Sequence, residues 1–307
     1  MNSGWSGRID GTAPEHLRWH QIVEPYEPGG APGACAFVGF ASDEGVRRNK
    51  GRRGAAAGPD ALRSALSPMA LAAPLRAIDA GTVAVAGERL EEGQRELGSR
   101  VTALLDAGHF PVVLGGGHEI AYGTYLGLAG STRRAPGTRV GILNLDAHFD
   151  LRPDPVPSSG TPFRQILEAD GDSVQYSVIG ISQPSNTKIL FDTAATYGVR
   201  YLLDEDCGQS NALAFVDDFL AGVDLVYLTI DLDVLPAAVA PGVSAPAAFG
   251  VPLATIQSVC DYVTASGKLA VVDVAELNPS LDVDNRTART AARLLHRIVT
   301  GHVALVG

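Results

Sequence analysis

Thiols are scarce and scattered in this chain. Its 307 residues include three cysteines, Cys35, Cys207 and Cys260, an odd number at wide spacing with no C-x-x-C pair. That argues against a zinc knuckle, a redox dithiol or a disulfide framework and fits three thiols in a reducing compartment. Positive charge is also short, with 24 Lys and Arg against 34 Asp and Glu, a formal charge of −10 and a pI of about 5.1. A broad basic face for nucleic acid or an anionic membrane is therefore not expected, and an anionic ligand has to be met by a few local arginines. Long apolar runs are missing too: the richest stretch, 69–86, is broken by Arg76 and Asp79. The first residues lack a basic stretch followed by an apolar core, so neither a signal peptide nor a membrane span is expected, and the location expected is cytoplasmic.

What is present is the balance of a soluble globular protein, 46% hydrophobic and 19% charged. Residues 1–33 are rich in Gly, Pro and charge and read as an irregular arm ahead of a single domain over 34–307. Ordered structure is expected to start with a buried strand at 34–40, followed by a glycine-marked loop and a helix at 60–66. Strand-like runs at 111–114, 140–145, 176–181, 199–202, 225–230 and 270–274 then alternate with helical runs at 90–107, 119–128, 186–197, 212–221, 253–265 and 287–299. That alternation predicts an α/β fold with a mostly parallel sheet joined by crossover helices.

Parallel sheets of this kind carry ligands beyond the carboxyl ends of their strands. Three runs end in concentrated ligand chemistry: one enters Gly-Gly-Gly-His-Glu at 115–119, one Asp-Ala-His-Phe-Asp at 146–150, one Asp-Leu-Asp at 231–233. In extended chain alternate side chains share a face, so Asp146, His148 and Asp150 converge, as do Asp231 and Asp233. Any one such pattern is usually a turn or a solvated face. Three together, each behind an apolar strand, are hard to explain by stability, because a core gains nothing from unpaired carboxylates. Carboxylate oxygens with imidazole nitrogens suit Mn²⁺, Zn²⁺ or Fe²⁺, and four aspartates balance two divalent ions better than one. The glycine run fails as a phosphate loop, since no Gly-Lys-Ser/Thr follows and Ile120 stands where G-x-G-x-x-G needs glycine. It reads instead as clearance that lets His118 reach the crevice. Glu276, just past another strand, suits an amidinium or guanidinium, and is equally well an ordinary loop acid.

The motifs at 115–119, 146–150 and 231–235 resemble the three signatures of the ureohydrolases, the family of arginases and agmatinases, and the likeness runs from about residue 37 to the C-terminus. Within it the chain is most similar to the formimidoylglutamase branch, through Asn49-Lys50-Gly51-Arg52, Ser158-Ser159-Gly160, Ser185-Asn186-Thr187 and Glu276-Leu277-Asn278-Pro279, among other segments. The resemblance implies a three-layer αβα sandwich and two Mn²⁺ ions per subunit. His118 and Asp150 would bind one ion and His148 and Asp233 the other, with Asp146 and Asp231 bridging. It further implies a homo-oligomer that hydrolyses N-formimidoyl-L-glutamate to L-glutamate and formamide, by attack of a metal-bridging hydroxide on the amidine carbon. Asp150 would hold the hydroxide and relay its proton, and Glu276 would hold the formimino group. Arginases place a proton-shuttling histidine where this chain has Phe163, which argues against arginase itself. Arg152, Arg52, Asn49, Ser159 and Asn186 are candidates for the substrate's carboxylates. The competing readings are an agmatinase or guanidinobutyrase, a two-metal phosphatase, and a non-catalytic metal-binding homologue.

Overall fold

Short β-branched runs bounded by Gly and Pro become strands here, and longer runs with helical periodicity become helices. The structure, a computed structural model, describes residues 4–306; residues 1–3 of the expected arm and residue 307 of the expected domain lie outside the described residues. The strands are β1 (Val23–Pro25), β2 (Cys35–Ala41), β3 (Ala77–Ala84), β4 (Phe110–Leu114), β5 (Val140–Leu145), β6 (Val174–Ile181), β7 (Arg200–Leu203), β8 (Leu225–Asp231) and β9 (Leu269–Ala275). The α-helices are α1 (Trp19–Ile22), α2 (Glu44–Arg48), α3 (Gly58–Leu66), α4 (Leu90–Asp106), α5 (Ile120–Ala129), α6 (Pro162–Asp170), α7 (Lys188–Thr196), α8 (Gln209–Ala221), α9 (Leu253–Ala265) and α10 (Arg286–Val306).

All nine strands form one sheet in the order β1-β3-β2-β4-β9-β8-β5-β6-β7, and every pairing is parallel. One face packs on residues of α3, α8, α9 and α10, and the other on α4, α5, α6 and α7, which gives the three αβα layers. Burial on both faces explains why β4, β5, β8 and β9 read as nearly continuous apolar runs rather than alternating ones.

Two strands escaped the sequence reading. The three residues of β1, within the stretch read as irregular, carry no pattern of their own. They pair with β3, and Trp19 just before them is fully buried. In β3 the apolar run is interrupted by Asp79 and Gly81. Asp79 is tolerated in the interior because the guanidinium of Arg63 donates to it at 2.7 and 3.0 Å and the indole of Trp5 at 2.5 Å. Helices α1, α2 and α6 were also unread, all short and set in loop-like sequence. Among the described residues no helix is long and apolar enough to cross a membrane.

The four strands β4, β9, β8 and β5 are neighbours at the middle of the sheet. Their carboxyl ends deliver His118, Glu276, the pair Asp231 and Asp233, and the trio Asp146, His148 and Asp150 to one edge.

Candidate metal centre

His118 is placed by close backbone approach. A Cβ on Gly115 would lie 2.2 Å from the Val274 carbonyl oxygen, and one on Gly116 2.0 Å from that of Ser42, so only glycine lets this loop cross the sheet edge. Glu276 stays the loop from the other side: its Oε1 accepts the His118 N–H at 2.9 Å, and its own N–H donates to Gly116 at 2.8 Å. Buried Glu119 ties in α2, accepting at Oε1 from the Ser42 hydroxyl at 2.7 Å and the Gly45 N–H at 2.9 Å.

Around the imidazole Nδ1 of His118 stand three carboxylate oxygens, Oδ2 of Asp146 at 3.1 Å, of Asp150 at 3.0 Å and of Asp231 at 3.1 Å. His148 Nδ1 lies 3.4 Å from Asp146 Oδ1 and 3.1 Å from Asp233 Oδ2. Two groups of donor atoms thus cluster tightly, His118 with Asp146 and Asp231, and His148 with Asp146 and Asp233, sharing Asp146. Backbone amides aim these carboxylates. Asp146 Oδ1 accepts from His148 N at 2.6 Å and Asp231 Oδ1 from Asp233 N at 2.9 Å, leaving each Oδ2 for the crevice.

The electrostatics are those of acidic groups crowded together out of water around two imidazoles. Burial pushes Asp231 up to about 7, helped by Asp233 and Asp146, and pushes Asp150 up to about 6, helped by Asp146. Burial also raises Asp233, and it raises Glu276 well above the usual range, with Asp231 and Glu119 adding to it. Burial acts on Asp146 in the same direction, but the adjoining His118 and His148 outweigh it and hold that carboxyl down. Both imidazoles resist burial likewise, held well above their ordinary value by the carboxylates around them.

A pair of divalent cations fits this donor set. Among the described residues His118 Nδ1 has no hydrogen-bond partner although buried, and no thiolate joins the oxygen and nitrogen donors. Its other nitrogen, Nε2, lies 3.0 Å from Thr229 Oγ1, and Asn144 donates to Asp146 Oδ2 at 2.9 Å and to the Tyr176 hydroxyl at 3.0 Å. Thr229 and Asn144 each stand two residues before an aspartate on the same strand face, and neither was picked out from the sequence. The available signal was a lone polar residue in an otherwise apolar buried strand, which needs a partner.

The donors open onto a cavity of about 400 Å³. Asn49, Arg52, Arg152, Ser159 and Asn186 all line it, as their expected role requires, but their polar atoms are not equally free. The guanidinium of Arg52 donates to the carbonyls of Ser244 at 2.9 Å and Val243 at 2.8 Å. Asn186 donates to the carbonyls of Ala147 and Ser182, both at 2.9 Å, and accepts from Phe149 N at 3.1 Å, so its amide clamps the loop that bears His148 and Asp150. Asn49 donates to Ser159 Oγ at 3.1 Å. Arg152 lies over Gly160, where a Cβ would meet its Cδ at 2.7 Å, and its guanidinium keeps its donors. Phe163 is fully buried, stacked on Tyr176 at 4.4 Å between ring centroids and edge-on to His118 at 5.3 Å, so it backs the imidazole rather than facing the cavity.

The arginase family model matches residues 33–301. A formimidoylglutamase of Nocardia farcinica is 79% identical over 97% of this chain and 96% of its own, and one of Rhodococcus opacus is 72% identical over 98% and 96%. The crystal structure of Trypanosoma cruzi formiminoglutamase with Mn²⁺ superposes with a TM-score of 0.81 at 28% identity, covering 90% of this chain and 95% of that one.

Proposed function

The chain belongs to the arginase family, and from that premise we propose that it hydrolyses N-formimidoyl-L-glutamate to L-glutamate and formamide. The observation that carries the proposal is the ring of three carboxylates around the unpartnered Nδ1 of His118, at the floor of a cavity whose wall bears an unspent arginine. The names of the high-identity relatives supply the substrate.

His118 and Asp150 would hold one Mn²⁺ and His148 and Asp233 the other, with Asp146 and Asp231 shared. When bound, such a pair lowers the pKa of water and offsets negative charge that builds up on the way to the tetrahedral intermediate. The remaining chemistry falls to the chain. Glu276 Oε2 is buried without a partner and would accept the formimino N–H, which orients the amidine carbon. The other oxygen of the Asp150 carboxylate would take the proton that the attacking water gives up and return it to the departing glutamate nitrogen. Phe163 carries no exchangeable proton, so the relay rests on Asp150. The guanidinium of Arg152 would take a substrate carboxylate. The reading extends to a cytoplasmic homo-oligomer, in line with the family resemblance; size-exclusion chromatography with light scattering tests the assembly.

The test is product analysis after incubating Mn²⁺-loaded protein in parallel with N-formimidoyl-L-glutamate, agmatine, 4-guanidinobutyrate and arginine. Formamide and glutamate from the first alone are expected. Urea from any of the others would move the chain to a guanidino branch, and inactivity toward all four with metal bound would overturn the proposal.

A further inference from the structure

Among the described residues five that are not glycine adopt a left-handed backbone, Lys50, Asp150, Glu276, Asp284 and Asn285. Asp284 and Asn285 precede α10, and short polar side chains of their kind tolerate that region. The other three all line the metal cavity. Asp150 and Glu276 already have work there. Lys50, with φ of 64°, is the residue that caps the C-terminus of α2: its N–H donates to the Arg47 carbonyl at 3.0 Å and the Gly51 N–H to that of Val46 at 2.8 Å, which is the left-handed turn that ends many helices. Glycine serves that cap position better, so a lysine held there at the cavity rim needs a reason beyond the turn itself.

Charge gives an independent reason. The cavity is lined by three lysine or arginine side chains, Lys50, Arg52 and Arg152. Arg52 is committed to the carbonyls of Val243 and Ser244. Its neighbours on the same segment are committed too, Arg53 to Asp43 and Arg48 to Glu44 and Glu91. Lys50 and Arg152 have neither an ion pair nor a side-chain hydrogen bond among the described residues. Two unspent cations therefore face a site whose proposed substrate brings two carboxylates.

We propose that Lys50 binds one substrate carboxylate while Arg152 binds the other, and that Lys50 thereby selects dicarboxylate amidines over those with a single carboxylate. The inference rests on the formimidoylglutamate reading. Lys50 is placed by a short, well-tied segment: Arg48 ties α2 to Glu91 of α4 and donates to the Pro157 carbonyl at 3.0 Å.

Lys50→Gly is the informative variant, because it removes the ammonium and places the best-suited residue at a left-handed position. Its melting temperature is expected to equal or exceed that of the parent. Calorimetric titration of the Mn²⁺-loaded protein with L-glutamate, the product that retains both carboxylates, is expected to show binding weakened roughly 10–100-fold. The same factor is expected in kcat/KM for N-formimidoyl-L-glutamate, carried by KM, with Lys50→Arg recovering most of it. N-formimidoyl-4-aminobutyrate and N-formimidoyl-2-aminobutyrate each lack one carboxylate, and the penalty of Lys50→Gly is expected to vanish on one of them. Unchanged glutamate affinity, no glutamate binding by the parent, or a penalty that persists on both monocarboxylates overturns the proposal. Lys50-dependent glutamate binding without formamide release would uphold it and sink the amidine reading instead.

Discussion

The imidazole Nε2 of His118 lies 3.0 Å from the hydroxyl of Thr229, while Nδ1 of the same ring faces three carboxylates. If the threonine oxygen accepts, the ring proton sits on Nε2 and the Nδ1 lone pair is left for a cation. Thr229 is in turn the register partner of buried Asp273 on β9, whose carboxylate also accepts from the Tyr227 hydroxyl at 2.5 Å.

Thr229→Val keeps the shape and removes the acceptor. It is expected to raise the Mn²⁺ dissociation constant roughly 10–100-fold, with Thr229→Ser close to the parent. Titration of the stripped proteins with Mn²⁺ measures this directly; equal affinity in the valine variant would show that the hydroxyl does not set the ring's orientation.

Asp231→Ala removes a carboxylate that stands 3.1 Å from His118 Nδ1. Metal content by elemental analysis and hydrolytic activity are expected to fall together, activity by at least about a hundredfold. A variant with full metal and full activity would refute the ligand assignment.

The two cavity arginines are expected to fail differently. Arg152→Ala should raise KM for N-formimidoyl-L-glutamate roughly 10–100-fold with little change in melting temperature, since its guanidinium has no partner to lose among the described residues. Arg52→Ala abandons the Val243 and Ser244 carbonyls and is expected to cost about 1–3 kcal/mol of stability, read by denaturant unfolding. The reverse pattern would exchange their roles.

Without metal, stability is expected to fall as pH rises from about 5.5 to about 8. Asp150 and Asp231, raised to about 6 and about 7, bind protons more tightly folded than unfolded, so their contribution is present at low pH and lost through those values. His118 and His148, also raised, act with the same sign. The depressed Asp146 works oppositely, but only below the ordinary carboxylate range. Mn²⁺ requires the deprotonated ligands and should reverse the slope. Melting curves in chelator and in excess Mn²⁺ at both pH values decide it; a stripped protein that gains stability toward pH 8 would contradict the expectation.

The convergence of the candidate donors was legible because each stands directly behind an apolar run, where a strand's carboxyl end must fall. Asn186 was legible only as a residue of the rim, since its partners Ala147 and Phe149 lie 39 and 37 positions away and nothing local announces them. Strand β3 was hidden by Asp79, an acid that becomes a core residue only once Arg63 and Trp5 reach it. Lys50 shows a further limit: a lysine before a glycine looks like any loop, and its left-handed backbone appears only in three dimensions.

Strand β9, the last in the chain, inserts between β4 and β8 rather than at an edge, and the hydrogen bond from His118 N to Glu276 closes a separation of 158 residues. His118 therefore cannot stand beside Asp231 in its final arrangement until that strand has docked. On a chain emerging from the ribosome, the donor group around His118 therefore closes only after β9 is made, whereas the group of Asp146, His148 and Asp233 needs only the direct pairing of β5 with β8. An ion captured at the His118 group would then be a clock for completion of the sheet, readable as the lag between secondary structure and retention of a second equivalent of Mn²⁺ during refolding.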